Sequence, residues 1–295
     1  MFERPRPPQF ALPAGSCDCH VHVFGPFERY PLDPGRLYTP DPALPSDLCG
    51  MLDGAGIARA VLVQPSAYGT DNRCMLDALA EHPARLRGVA VISGDEPRKE
   101  LARMHALGVR GVRLNLATAG GKPAAETARL AEQMAKAIAP LGWHLQMFVD
   151  LDAIAAIAPL VRRLPVDVVF DHMGLAQAAR GLEQPGFATL LELMRDGRMW
   201  VKLSGTYRVS SEVYGSAQVT ALARALVAAN PERVVWASDW PHIGAHAHQV
   251  EGEPAPAEYR RIDYGRLLSV LAEWAEGDHL AQILTRNPAR LYGFS

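Results

Sequence analysis

Eight short runs rich in β-branched and aromatic residues recur along the 295-residue chain, each separated from the next by a stretch of helical periodicity. The runs are 16–24 (SCDCHVHVF), 59–66 (RAVLVQPS), 87–93 (RGVAVIS), 109–116 (VRGVRLNL), 144–150 (HLQMFVD), 166–172 (VDVVFDH), 199–205 (MWVKLSG) and 233–239 (RVVWASD). Between them, segments such as DNRCMLDALAEHP and TARLAEQMAKAIAPLG place apolar residues three and four apart, the period of a helix with one buried face. Strands alternating with helices form a parallel sheet, and eight of them close most simply into an α/β fold of the single (β/α)8 TIM type. An open doubly wound sheet would carry a glycine-rich phosphate turn after its first strand, and HVFGPFERYP contains no G-x-G-x-x-G. The reading is one barrel over 16–295, preceded by a proline-bearing extended arm over 1–15.

Composition narrows the partners. With 48% hydrophobic residues, 21% charged residues and a formal net charge of −2, the chain has no polybasic surface for nucleic acid and no acidic tail. Its apolar runs are far too short to span a bilayer, and the arm lacks the continuous apolar core of a signal peptide. The four cysteines, Cys17, Cys19, Cys49 and Cys74, are expected as reduced thiols in a cytoplasmic protein. A small-molecule partner is expected, with no nucleic acid and no membrane; a homo-oligomer is compatible with all of this.

Barrel enzymes hold their chemistry at the C-terminal ends of the strands. The residues there are reactive types: His20 and His22, Ser66, Arg113 and Asn115, His172, Ser204 and Asp239. On the first strand, strict alternation puts His20 and His22 on one side and Cys17 and Cys19 on the other. The CDCHVH run is therefore not a four-ligand cluster, and its cysteines are expected to pack against helices as small hydrophobes. Lys202 shares parity with Ser204 and is expected inside the barrel, paired with Asp18. His242, His246 and His248 fall in the loop after the last strand and read as a polar loop over the mouth.

With those residues in view, the chain resembles the amidohydrolase superfamily. H-x-H on the first strand, DHMG at 171–174, ASDWPH at 237–242 and RNPARLYGF at 286–294 carry the likeness. CHVHVFGP, LYTP, VLVQPSAYGTDN, RGVRLN and GWH resemble its lactonase branch, the 2-pyrone-4,6-dicarboxylate lactonase family. The resemblance implies a hydrolase opening the lactone ring of a small carboxylated compound, with a metal-dependent decarboxylase or a lactone isomerase as the alternative on the same barrel. Asp239 is implied as the general base, and His20, His22 and His172 as donors to the oxyanion. Arg113 and Arg208 are implied to face a substrate carboxylate, and Tyr38 and Ser66 to line the pocket.

Most of that superfamily binds one or two divalent ions, whereas the lactonase branch works without one. No cofactor is therefore expected. A single divalent ion such as zinc, if present, would take His20, His22 and Asp239, because the fifth strand offers Phe148 at the mouth and His144 only at the wrong end. Departures from the branch fall in anion recognition. An arginine after the fourth strand is missing, with Lys122 downstream as its candidate replacement; an aromatic hydroxyl becomes Phe148; an asparagine becomes Gly244.

Overall fold

The computed structural model describes residues 2–118, 120–244 and 254–295. The expected strands are β1 Cys17–Val21, β2 Arg59–Val63, β3 Leu86–Ala90, β4 Val109–Asn115, β5 His144–Phe148, β6 Val168–Phe170, β7 Met199–Leu203 and β8 Val234–Trp236. They pair in parallel and in chain order. The ring closes where β8 runs out: Val21 bridges Trp240, and His22 N donates to Trp240 O at 2.9 Å. This is a single (β/α)8 barrel. Beside it, Tyr38–Pro40 and Ala255–Ala257 form a short parallel pair.

The two faces of the strands bury different things. Outward residues such as Val21, Leu62, Val112, Met147, Phe170 and Leu203 pack with the helix residues Leu79, Ile138, Ile154, Leu193 and Leu226. Inward, Cys17, Cys19, Val61, Val63, Val89, Val169, Trp200 and Val235 form a separate apolar cluster, closed by Tyr292 and Phe294 from the C-terminus. Trp143, Trp200, Trp236 and Trp240 are each no more than 1% exposed. A buried tryptophan removes about 150–250 Å² from water, which at ~25 cal/mol per Å² contributes about 4–6 kcal/mol.

The placement of the cysteines corrects the expectation from alternation. Asp18 pairs with Ala60 and Val21 with Leu62, so β1 spends three steps where β2 spends two. That extra residue is a β-bulge. It lets Cys17 and Cys19 face the barrel interior and still turns both His20 and His22 inward, which an unbroken strand cannot do. Asp18 points outward, where its carboxylate accepts from Tyr264 OH at 2.8 Å and Ser238 N at 3.0 Å. It does not pair with Lys202.

Residues 2–15 contain no helix or strand. They lie across the outside, with the Phe2 ring 4.7 Å from that of Trp240 and Gln9 N donating to Ser269 Oγ at 3.0 Å. No helix among the described residues is long and apolar enough to cross a membrane.

Candidate active site

Above the apolar cluster the interior changes character. His20, His22, Arg113, Gln146, Asp171, His172, Lys202, Ser204 and Asp239 are all buried, from 0% to 6% exposed. Nine polar residues at the C-terminal ends of a barrel make this its reactive end.

Two of the key side chains reach it through unusual backbone. Asp239 has φ +65° and His172 φ +50°, followed by Met173 at +54°. Left-handed conformations at non-glycine residues cost about 1–3 kcal/mol each and persist where surrounding contacts over-determine them. Here the Asp239 N–H is held by His20 O at 3.0 Å. The turn at His172 swings its ring in beside Asp171, so two consecutive residues both serve the interior. Gly205 lies behind that ring, where a Cβ would come within 2.8 Å of His172 Nδ1.

Asp239 is the centre of the arrangement. Its Oδ2 accepts from Tyr207 OH at 2.5 Å and from Arg208 Nε at 2.8 Å. Its Oδ1 has no hydrogen-bond partner among the described residues and lies 3.7 Å from His20 Nε2, 3.7 Å from His22 Nε2 and 3.9 Å from His172 Nε2. Burial alone would raise this carboxyl, but the Arg208 guanidinium outweighs it and holds it well below the usual carboxylate range. It is an anion at every physiological pH.

The histidines are held neutral. Burial pushes His172 down to about 3 and also lowers His20 and His22, Lys202 adding to the effect on His20. Their outer nitrogens are engaged: His172 Nδ1 with Ser204 Oγ at 2.9 Å and His22 Nδ1 with Val63 O at 2.7 Å. His20 Nδ1 lies 3.3 Å from both Lys202 Nζ and Asp171 Oδ1.

The arginines, expected only as anion receptors, have partners. Arg113 Nε lies 3.4 Å from Asp171 Oδ2, and Arg208 is ion-paired with Asp239. Each guanidinium carbon sits 5.6 Å from the centroid of the Phe148 ring, which also meets His172 edge-on at 5.2 Å. Phe148 is thus the platform for both cations. Tyr38 and Ser66 share a side-chain hydrogen bond; burial raises the Tyr38 hydroxyl, and nearby Arg113 and Arg208 moderate the effect. All eight residues singled out for catalysis or substrate contact therefore gather at this end.

Other expectations shift. Lys122 Nζ is bound to Glu126 at 2.5 Å on the following helix. Gly244 joins its backbone to Glu258, and a Cβ there would meet the Glu258 carbonyl at 2.9 Å, so no side chain fits. His242 is buried at 3% exposure, while His246 and His248 lie outside the described residues. Three contributors were not foreseen: Asp171, Gln146 and Tyr207. The inward parity of Gln146 between His144 and Phe148 pointed to it, as did the position of Tyr207 beside Arg208; Asp171 was hidden by its neighbour His172.

The donor set fits one cation. The coordinating atoms of His20, His172 and Asp239 lie within 4.8 Å of one another, while His22 Nε2, 3.2 Å from His20 Nε2, falls outside that group. The expected trio of His20, His22 and Asp239 is thereby changed, with His172 in place of His22. β5 adds no ligand, presenting Gln146 and Phe148. The surrounding charge opposes a cation, with Arg208 on Asp239 and Lys202 against His20.

A barrel with these groups at its C-terminal end belongs to a class of hydrolytic enzymes, and comparison with known proteins agrees. The family model described as Amidohydrolase matches residues 17–294. The 2-pyrone-4,6-dicarboxylate hydrolase of Comamonas testosteroni is 35% identical, covering 99% of this chain and 94% of its own. The 4-sulfomuconolactone hydrolase of Hydrogenophaga intermedia is 34% identical, covering 97% and 91%. A crystal structure described as a probable 2-pyrone-4,6-dicarboxylic acid hydrolase of Acinetobacter baumannii, with citric acid bound, superposes with a TM-score of 0.77 at 28% identity over 95% of this chain and all (100%) of that one. The chain belongs to the amidohydrolase family.

Proposed function

We propose that the protein hydrolyses a small anionic lactone, with Asp239 as the general base. The observation that carries this reading is the unengaged Oδ1 of Asp239, ringed by three histidine nitrogens while Oδ2 is clamped by Tyr207 and Arg208. Oδ1 takes a proton from water as its oxygen adds to the lactone carbonyl. His172, whose Nδ1 is engaged by Ser204, turns Nε2–H toward the developing oxyanion. Collapse of the tetrahedral intermediate breaks the ring C–O bond. Asp239 then returns its proton to the departing oxygen, and the new carboxylic acid releases its own to solvent.

General-base catalysis contributes about 10²–10⁴-fold, and a placed oxyanion donor about 10²–10³-fold. The low basicity of Asp239 makes it a modest base that is always in the active form. When a divalent ion is bound, His20, His172 and Asp239 would hold it, and it would supply Lewis-acid polarisation of the carbonyl. The charges of Arg208 and Lys202 favour the metal-free course.

Charge also speaks to substrate. Arg113, Arg208 and Lys202 face Asp171 and Asp239 among neutral histidines, leaving one surplus positive charge (three against two). A lactone bearing one anionic group at this end balances it. The relatives act on lactones by name, and the altered anion set (Phe148, Gly244, Lys122 tied to Glu126) favours a substrate other than the pyrone dicarboxylate. Such compounds arise in the breakdown of aromatic and sugar acids, and a cytoplasmic site suits that role. A lactone isomerase is the second reading, supported by 29% identity to the D-galactarolactone isomerase of Agrobacterium fabrum.

The test is ring opening by chelator-treated protein across mono- and dianionic lactones, with products identified by NMR. Turnover of a monoanionic lactone without metal is expected. An isomeric lactone as product would replace hydrolase by isomerase.

A further inference from the structure

We propose that Lys202 is a positioning residue that fixes the tautomers of the His20–His22 pair, keeping Nε2–H on His20 and a bare Nε2 on His22. The site is thereby set for proton chemistry and against metal ligation. The inference rests on the hydrolytic reading for the use made of His20, but its geometry stands apart from any substrate.

His20 Nδ1 faces two groups at equal distance, the Lys202 ammonium and the Asp171 carboxylate, each at 3.3 Å. One would donate to it; the other would accept from it. The far end of the pair shows which of the two prevails when the ammonium is present. His22 Nδ1 lies 2.7 Å from Val63 O, which can only accept, so His22 carries its proton on Nδ1 and its Nε2 is bare. His20 Nε2 is 3.2 Å from that bare nitrogen. Two facing lone pairs at this distance repel, whereas a proton on His20 Nε2 makes a hydrogen bond. A neutral His20 protonated at Nε2 has a bare Nδ1, and the lysine is the group that can fill it.

The chain is then complete: Lys202 Nζ donates to His20, His20 Nε2 to His22, and His22 Nδ1 to Val63 O. Lys202 Nζ also donates to Gln146 Oε1 at 2.6 Å and lies 3.3 Å from Asp171 Oδ1 as an ion pair. Gln146 Nε2 in turn donates to Asp171 Oδ2 at 3.0 Å, which fixes the amide orientation. An ammonium with 0% exposure is costly to bury, and beneath the catalytic histidines this one is compensated by contacts to His20 and Gln146 and by the ion pair with Asp171. A metal at the Nε2 cluster would require His20 to move its proton to Nδ1, directly against that ammonium.

Removing the amine while keeping the length, Lys202→Met, leaves Asp171 to accept from His20 Nδ1–H, a charge-assisted bond that outweighs the repulsion of the two bare Nε2 atoms. His20 then presents a bare Nε2 as a metal ligand does.

The experiment is long-range ¹H–¹⁵N correlation of the histidine rings in chelator-treated, ¹⁵N-histidine-labelled protein, assigned with His20→Gln and His22→Gln. The wild type is expected to show Nε2–H on His20 and Nδ1–H on His22. In Lys202→Met the His20 pattern reverses and zinc binding, read by competition with a chromophoric chelator, tightens by about 10–100-fold. kcat falls by about 10–100-fold with KM little changed, and Lys202→Arg retains the wild-type ring pattern. Wild-type His20 protonated at Nδ1, or zinc binding no tighter in Lys202→Met, overturns the proposal. If Lys202→Met does not fold, the wild-type spectrum decides alone. An active lactonase with the wrong His20 tautomer sinks this inference and spares the hydrolytic reading; the expected tautomers without lactone turnover do the reverse.

Discussion

The two ends of this barrel are built from the same strands on opposite rules. At the start of the strands the interior is apolar: Cys17, Cys19, Val61, Val89, Val169 and Trp200, capped by Tyr292 and Phe294. Even His144 there is a neutral ring, pushed down to about 3 first by burial and then by Lys202, packed edge-on against Tyr292 at 5.2 Å. At the other end the same strands present three histidines, two carboxylates, two arginines and a lysine, none more than 6% exposed except Arg208, whose side chain is 24% exposed. The apolar end stabilises the ring by burial. The polar end concentrates charge, carries left-handed residues at His172 and Asp239, and gives up stability for reactivity.

Substitutions should separate the two ends. The largest effect on activity is expected from Asp239→Asn, which removes the base and should lower kcat by about 10²–10⁴-fold, with circular dichroism unchanged. A Trp200→Ala substitution at the apolar end should do the opposite. It leaves a cavity costing about 3–5 kcal/mol, visible as a lowered denaturation midpoint, while kcat measured well below the new melting temperature stays near wild type. His172→Gln should cost about 10²–10³-fold in kcat, with KM nearly unchanged. Phe148→Leu should be milder: without the ring the two guanidinium contacts, about 0.5–1 kcal/mol each, are lost, and KM rises several-fold. Equal damage to stability and activity from both Trp200→Ala and Asp239→Asn would dissolve the distinction.

The smallest contrast is in pH. His172 and His144 fall to about 3 and His242 to about 4, all first because of burial, so the unfolded chain binds more protons than the folded one below the ordinary histidine value of 6.5. Stability from these rings is therefore present above pH 6.5 and is lost as pH falls toward 4. Asp18, raised by burial to about 6, acts in the opposite sense between its ordinary 3.8 and 6, but it is one group against three. The melting temperature should drop between pH 7 and pH 4.5. Activity corrected for unfolding should show no limb near pH 6.5.

The sequence made the ring legible because each strand is a run of β-branched residues that must be buried on both faces. Strand-end position likewise made His20, His22, His172 and Asp239 legible. What it hid depends on single-residue register. The bulge between Asp18 and Val21 turns the cysteines inward, and no alternation rule predicts an extra residue. The true partner of Lys202 is Asp171 because the left-handed turn at His172 lets two neighbouring residues face the centre, where a regular strand would send one out. Arg208 looks like a carboxylate receptor in sequence, yet its first partner is Asp239, the proposed base.

The central claim is that Asp239 delivers water to a lactone carbonyl without help from a bound ion. Ring opening of an accepted lactone in H₂¹⁸O by chelator-treated protein tests it most directly. The expected product is a hydroxy acid with one solvent ¹⁸O in its new carboxylate, formed by the wild type and suppressed in Asp239→Asn. An unlabelled isomeric lactone, or turnover that returns only when a divalent ion is restored, would contradict it.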